Sequence, residues 1–143
     1  MTYRYLEEKA SAEVGFEAAG VTLEELFISA ADALLNVMVE DVDSVLPTES
    51  RRVEFQEDSL EMLLFNFLQE IVLFKDSERL LLRVKECQFL EEQGEYRTAA
   101  LMAGERLDPI RHRQKVDVRA IKLSRFQLEK EEPGWRASVI LDV

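Results

Sequence analysis

The hydrophobic pattern of this chain changes period at Gly20, and that change restricts the fold more than any other feature of the sequence. Before it, Val14, Phe16 and Ala18 alternate with Gly15, Glu17 and Ala19, the period of a strand with one buried face. After it, Thr22-Leu-Glu-Glu25 forms a capping box: the Thr22 hydroxyl accepts from the Glu25 amide, and the Glu25 side chain reaches back. Leu23, Leu26, Phe27, Ala30, Leu34, Val37 and Met38 then follow at helical spacing, which predicts a helix over residues 22–38. A strand that turns directly into a capped amphipathic helix needs a shared core for both buried faces.

The same alternation of periods recurs. Residues 3–8 read as a short strand. Residues 41–49 form an acidic loop closed by Pro47, and residues 51–56 read as a strand with Val53 and Phe55 on one face. Asp58-Ser-Leu-Glu61 reads as a second capping box, followed by Leu60, Leu63, Leu64, Phe67, Leu68 and Ile71 on a helix over residues 59–74. Residues 79–90 and 96–103 form a hairpin across Glu92-Gln-Gly-Glu95. Residues 104–115 form a loop. Residues 117–129 and 135–143 form a second hairpin across Glu132-Pro-Gly134, where Pro and Gly suit a tight turn. In the last strand Trp135, Ala137, Val139, Leu141 and Val143 share one face, and Arg136, Ser138, Ile140 and Asp142 the other. The expected class is α+β: two amphipathic helices packed on a largely antiparallel β-sheet, in a single domain over residues 1–143.

Composition narrows the functions open to such a domain. Hydrophobic residues make up 47 % of 143, enough for a real core, and 5 Gly with 3 Pro argue against a fibrous or disordered chain. One Cys and one His exclude a disulfide framework, a cysteine zinc site and any site that needs two imidazoles. The net charge of −11 argues against independent nucleic-acid binding, because phosphate contacts supply most of that affinity. The charge is uneven. Residues 1–50 hold eleven acids and two bases, whereas residues 105–143 hold seven acids and nine bases. No apolar run approaches the roughly 20 residues that span a bilayer, and the first residues carry no signal pattern, so no membrane role and a cytoplasmic location are expected.

No phosphate-binding glycine loop, nucleophile elbow or HExxH motif is present. Cys87 lies in a β-prone run without a neighbouring base and reads as structural. His112, between Arg111 and Arg113, reads as a solvated loop residue, or else as a contact to a partner or a phosphate. The cations from Arg106 to Arg125 read as a charge-guarded strand edge, with a basic face as the alternative. Two acids stand apart from the solvated majority. Glu13 opens a strand and Asp142 closes one, and a strand end can present carboxylates beside backbone carbonyls, the oxygen donors that hard cations require.

Several ordered segments resemble one family. Ser11-Ala-Glu-Val-Gly-Phe16 resembles the Thr-Ala-Asp-(Ile/Val/Ala)-Gly-Phe opening of the archeases, and Gly20-Val-Thr-Leu-Glu-Glu-Leu-Phe27 resembles their Gly-x-x-Leu-Glu-Glu-Leu-Phe helix start. Ala30-Ala31 and Met38-Val39 continue that pattern. Residues 63–70 resemble the Leu-Leu-x-x-Trp-Leu-x-Glu helix, and Gly104-Glu105 and His112 fall where a Gly-Glu pair and a loop His are usual. Val118-Arg119-Ala120-Ile121 resembles Val-Lys-Ala-Val/Ile, and residues 135–143 resemble the closing Trp-x-Ala-x-Val-x-Leu-Asp-Val. The resemblance implies a non-catalytic accessory protein of RtcB-type tRNA-splicing RNA ligases, which promotes ligase guanylylation and multiple turnover. It also implies a divalent cation, Ca²⁺, held by an acid of the opening motif, the last Asp and the following backbone carbonyl. Those positions are Glu13, Asp142 and Val143.

The chain departs from the family pattern around that site. The usual opening Asp is Glu13, one methylene longer. The Thr after Val-Lys-Ala-Val is Lys122, whose ammonium would compete with a metal if it pointed there and, should it reach Asp142, would satisfy that carboxylate without one. Position 124, often aromatic or His, is Ser124, and position 10, often His, is Ala10. Two other readings therefore stand beside ligase activation. One is a metal-free, chaperone-like binding module for another RNA-processing or RNA-modifying enzyme. The other is an enzyme using Glu13 and Asp142 as acid–base carboxylates.

Overall fold

The computed structural model describes residues 1–6 and 12–143. Its elements are β1 (Thr2–Tyr5), β2 (Glu13–Gly20), α1 (Leu23–Met38), a 3₁₀ turn (Val42–Ser44), β3 (Glu49–Glu57), α2 (Leu60–Glu78), β4 (Leu80–Glu92), β5 (Glu95–Arg106), β6 (Ala120–Glu131) and β7 (Gly134–Asp142). The strands divide into two antiparallel sheets, ordered β1-β2-β7-β6 and β3-β5-β4. The expected helices and strands are present among the described residues, with positions 7 and 8 of the first expected strand lying outside them, but one sheet is two. Each helix contacts strands of both sheets, so the two sheets share one core. The fully buried Phe27 of α1 and Phe67 of α2 meet each other and the half-buried Phe89 of β4 and Phe55 of β3 edge-on or tilted, with ring centroids 4.7–5.8 Å apart.

Local chemistry sets the element ends. Thr22 caps α1, its hydroxyl accepting from Glu25 N–H at 3.1 Å, while Glu25 accepts from Val21 N–H. The second box is displaced by one residue. Ser59, not Asp58, caps α2, accepting from Met62 N–H. Met62 therefore occupies the position of the reciprocal acid, and Glu61 is free to reach elsewhere. The helix runs beyond Phe74 to Glu78 and stops at Arg79, which takes the left-handed conformation with φ 54°. Between β4 and β5, Gln93 and Gly94 both have positive φ (53° and 79°), the requirement of a two-residue type I′ hairpin.

The helices also close two exposed sheet edges. Glu61 accepts from Leu128 N–H and Gln69 from Ile121 N–H, both on the outer strand β6. Glu24 of α1 accepts from Cys87 N–H on the outer strand β4, beside a register shift at Val84/Glu86. Unpaired edge donors invite strand addition by another chain, and these side chains satisfy three of them. Burial pushes the Cys87 thiol up to about 12, as befits an inert, packed side chain. Among the described residues, no helix is long and apolar enough to cross a membrane.

Candidate functional site

Strand β2 pairs with β7 so that Glu13 stands opposite Asp142. Val143 N–H donates to the Ala12 carbonyl at 3.0 Å, which makes Glu13–Asp142 a non-hydrogen-bonded pair. In such pairs the Cα atoms lie about 4.5 Å apart and the side chains project from the same face. That face is the outer one, since Val14, Phe16, Val139 and Leu141 turn to the core. The first and last family motifs therefore meet with both carboxylates on one surface. Val143 is half-buried beside them. Ala10 and Ser11 lie outside the described residues.

Two cations from β6 hold Glu13. Lys122 Nζ lies 2.6 Å from Glu13 Oε2, and Arg125 Nη2 lies 3.4 Å from Oε1. Lys122 pairs with Ile140 in the sheet, so its stem must cross β7 to reach β2, about 10 Å or two strand spacings away. The condition that Lys122 reach Asp142 is not met: its ammonium pairs with the longer carboxylate of Glu13 instead. Among the described residues, no hydrogen bond or ion pair reaches the Asp142 side chain. The hydrogen bond and charge of Lys122, with Arg125 adding to them, hold the Glu13 carboxyl below the usual carboxylate range, against a smaller effect of burial.

Arg125 arrives through a distortion that strand periodicity alone does not predict. Five residue steps in β6, from Lys122 to Gln127, face two in β7, from Ile140 to Ser138. Arg125 itself has φ 60°. In a regular strand with Lys122 outward, Arg125 would face the core. The three extra residues invert that alternation and bring its guanidinium to the outer face. A signal was present in the sequence. Ile121 and Leu123 are odd-numbered apolar residues, Phe126 and Leu128 even-numbered, so the apolar phase breaks between them.

A resident divalent ion fits this arrangement poorly. The donors are hard oxygens of the right type, but both oxygens of Glu13 already face cations, and two carboxylates against two cations are balanced in charge. Among the described residues, no three His, Cys, Asp or Glu side chains converge in a metal-binding group. The residues present therefore do not suit Ca²⁺ at Glu13, Asp142 and Val143 while Lys122 and Arg125 stand as they do.

The solvated-loop reading of His112 is also corrected, because its ring is 0 % exposed. Asp108 Oδ1 accepts from Ile110 and Arg111 N–H, and His112 N–H returns to the Asp108 carbonyl. That tight turn leaves Ile110 in solvent and rolls the imidazole inward. Nδ1 accepts from Asp108 N–H at 2.8 Å, so Nε2 carries the proton and donates to Glu105 Oε1 at 2.8 Å. Glu105 also accepts from Leu46 N–H and pairs with Arg111, whose guanidinium reaches the Ser44 carbonyl as well. With its ring fully buried, His112 is not presented to a partner or a phosphate in this conformation. Arg111 and Arg113 are both exposed, Arg113 the more so, with its guanidinium 3.8 Å from Glu40. The cations from Arg106 onward mostly find separate partners, Glu49 and Glu78 for Arg106 and the Asn36 carbonyl for Lys115, so they do not make one basic face.

The motif geometry has a family counterpart. The profile of the archease protein family matches residues 3–143. The chain belongs to the archease family. An archease of Methanosarcina mazei is 35 % identical over 142 residues, covering 99 % of this chain and 95 % of its own length. One of Pyrococcus abyssi is 37 % identical over 134 residues, covering 93 % and 94 %. The solution structure of Methanobacterium thermoautotrophicum protein 1598 superposes with a TM-score of 0.84 at 28 % identity, covering 99 % of this chain and 98 % of that one. The crystal structure of an archease from Thermotoga maritima, titled a possible chaperone, has a TM-score of 0.63 at 16 % identity over 96 % of each chain, and shares the fold.

Proposed function

We propose that this archease is a non-catalytic accessory protein of an RtcB-type tRNA-splicing RNA ligase, promoting guanylylation and repeated turnover of the ligase in the cytoplasm. The observation that carries this reading is the pairing of Glu13 with Asp142, which joins the opening and closing family motifs on one open surface. Charge supports it too. The acids concentrated in residues 1–50 complement the basic surface that an RNA-binding enzyme must present. A catalytic role for the two carboxylates is less well supported. A general acid needs its pKa raised toward neutrality, and Lys122 moves Glu13 the other way.

The test is single-turnover guanylylation of the ligase, followed by multiple-turnover ligation, with and without this protein. Acceleration of the first and rescue of the second are expected. No effect on either, in the presence or absence of added Ca²⁺, would remove the ligase and leave the second reading, a chaperone-like module for another RNA-processing or RNA-modifying enzyme. The pairing of Glu13 with internal cations is the feature that favours that second reading.

A further inference from the structure

We propose that Lys122 and Arg125 form a built-in cation at the Glu13–Asp142 pair, taking the place a divalent ion would occupy, so that the chain maintains this site without a metal. The inference concerns the isolated protein and stands or falls apart from the ligase reading.

Geometry carries the argument. Two carboxylates directly opposite on neighbouring antiparallel strands repel each other, and a sheet that keeps them needs positive charge close by. Here it comes from the next strand. The Lys122 stem crosses β7 over Ile140 to set its ammonium 2.6 Å from Glu13 Oε2. The guanidinium of Arg125 covers the other oxygen. Neither arrival is a default conformation. The first needs a side chain stretched across a whole strand. The second needs three extra residues in β6 and a left-handed Arg125. A side chain held at φ 60° costs free energy in a non-glycine residue, so its conformation is imposed by its surroundings.

Charge then decides between occupants. With Lys122 and Arg125 in place the four side chains sum to neutrality. A divalent ion added among them would meet two fixed positive charges at short range, and their repulsion opposes its attraction to the carboxylates. The extra methylene of Glu13 fits the same scheme. Glu13 stands on β2, one strand further from β6 than Asp142, and the longer side chain helps its carboxylate meet the cations that cross β7.

Titration calorimetry with CaCl₂, repeated with MgCl₂, tests this on the purified chain. The wild type should bind Ca²⁺ with a dissociation constant weaker than about 1 mM, the soft end of protein calcium sites. The double variant Lys122→Met, Arg125→Gly removes both charges. Met keeps a stem over Ile140, and Gly accepts the φ of position 125 without strain. It should bind Ca²⁺ on the order of tenfold more tightly or better. Lys122→Thr alone should show a smaller gain in the same direction. Circular dichroism of each variant confirms that it is folded before it is titrated. Tight wild-type binding that the double variant leaves unchanged would overturn the proposal. So would a folded double variant that binds no better than wild type, because the cations would then not be what keeps the ion out.

Discussion

Glu105 and Glu13 each sit at a strand end with two nitrogen-bearing side chains on the carboxylate, yet the chain builds the two clusters by opposite routes. The side chains that hold Glu105 are local. His112 follows seven residues later, Arg111 one before that, and the turn at Asp108 delivers both. The partners of Glu13 lie 109 and 112 residues away and reach it only when β6, β7 and β2 are assembled. The surroundings differ as well. Glu105 lies at 8 % exposure against a fully buried imidazole, whereas Glu13 and Lys122 are half-buried on the outer face, with Arg125 exposed beside them. A local cluster in a dry setting ties loops to the fold: Glu105 joins Leu46 to the 108–113 turn and so fixes the chain on either side of β3–β5. A long-range cluster on a wet face adds little rigidity but sets which charges that surface presents.

The largest effect should come from the dry cluster. His112→Ala deletes a fully buried ring, leaves the Asp108 N–H without its acceptor and leaves Glu105 Oε1 with the Leu46 N–H alone. A loss of about 2–4 kcal/mol is expected from the cavity and the broken hydrogen bonds together. Urea denaturation of the two proteins measures it. If Lys122→Met proved as destabilising as His112→Ala, the distinction between a cluster that holds the fold and one that dresses a surface would fail.

Acid titration separates the clusters next. The Arg111 pairing, supported by the Leu46 and His112 hydrogen bonds, lowers the Glu105 carboxyl to about 2 from its ordinary 4.5. A carboxyl depressed in the folded state contributes stability that is fully present above its unfolded pKa and is lost as pH falls through the folded one. The stability gap between wild type and Glu105→Gln should therefore hold steady down to about pH 4.5 and narrow from there toward pH 2. Thermal melts across that window read it. A gap that begins to close near pH 6 would show that another group, not Glu105, titrates.

How much of this was legible in the sequence follows from the range of the interactions. The strand-to-helix switch at Gly20, the cap at Thr22, the hairpin turn at Gln93-Gly94 and the two faces of β7 are all written in neighbouring residues, and each could be read directly. The Glu13–Asp142 pairing could be suspected from two strand ends, and the family resemblance named it. What could not be read needed register. Whether the strands made one sheet or two depends on the helices between them. The inward turn of His112 depends on a side chain at Asp108 that closes on its own backbone. The meeting of Lys122 and Arg125 on Glu13 depends on a bulge whose only trace is the slip in apolar phase between Leu123 and Phe126.

The smallest effect should come from the Glu13 cluster, and its salt dependence identifies it. Lys122→Met removes the ammonium while keeping most of the stem over Ile140, so what is lost is chiefly charge. On a half-buried outer face that charge is partly screened, and raising the salt from about 0.05 M to about 1 M shortens the Debye length from above 10 Å to roughly 3 Å. The destabilisation of Lys122→Met should therefore be slight at low salt and shrink further at high salt, while that of His112→Ala, buried and short-range, should stay nearly constant. Chemical denaturation in urea, itself uncharged, at the two salt concentrations makes the comparison without confounding ionic strength. A Lys122→Met loss that persists unchanged at high salt would mean that the stem, and not the ammonium, stabilises this face. Glu13 would then owe its position to packing across β7, and the outer face would present a carboxylate less firmly neutralised than the 2.6 Å contact implies.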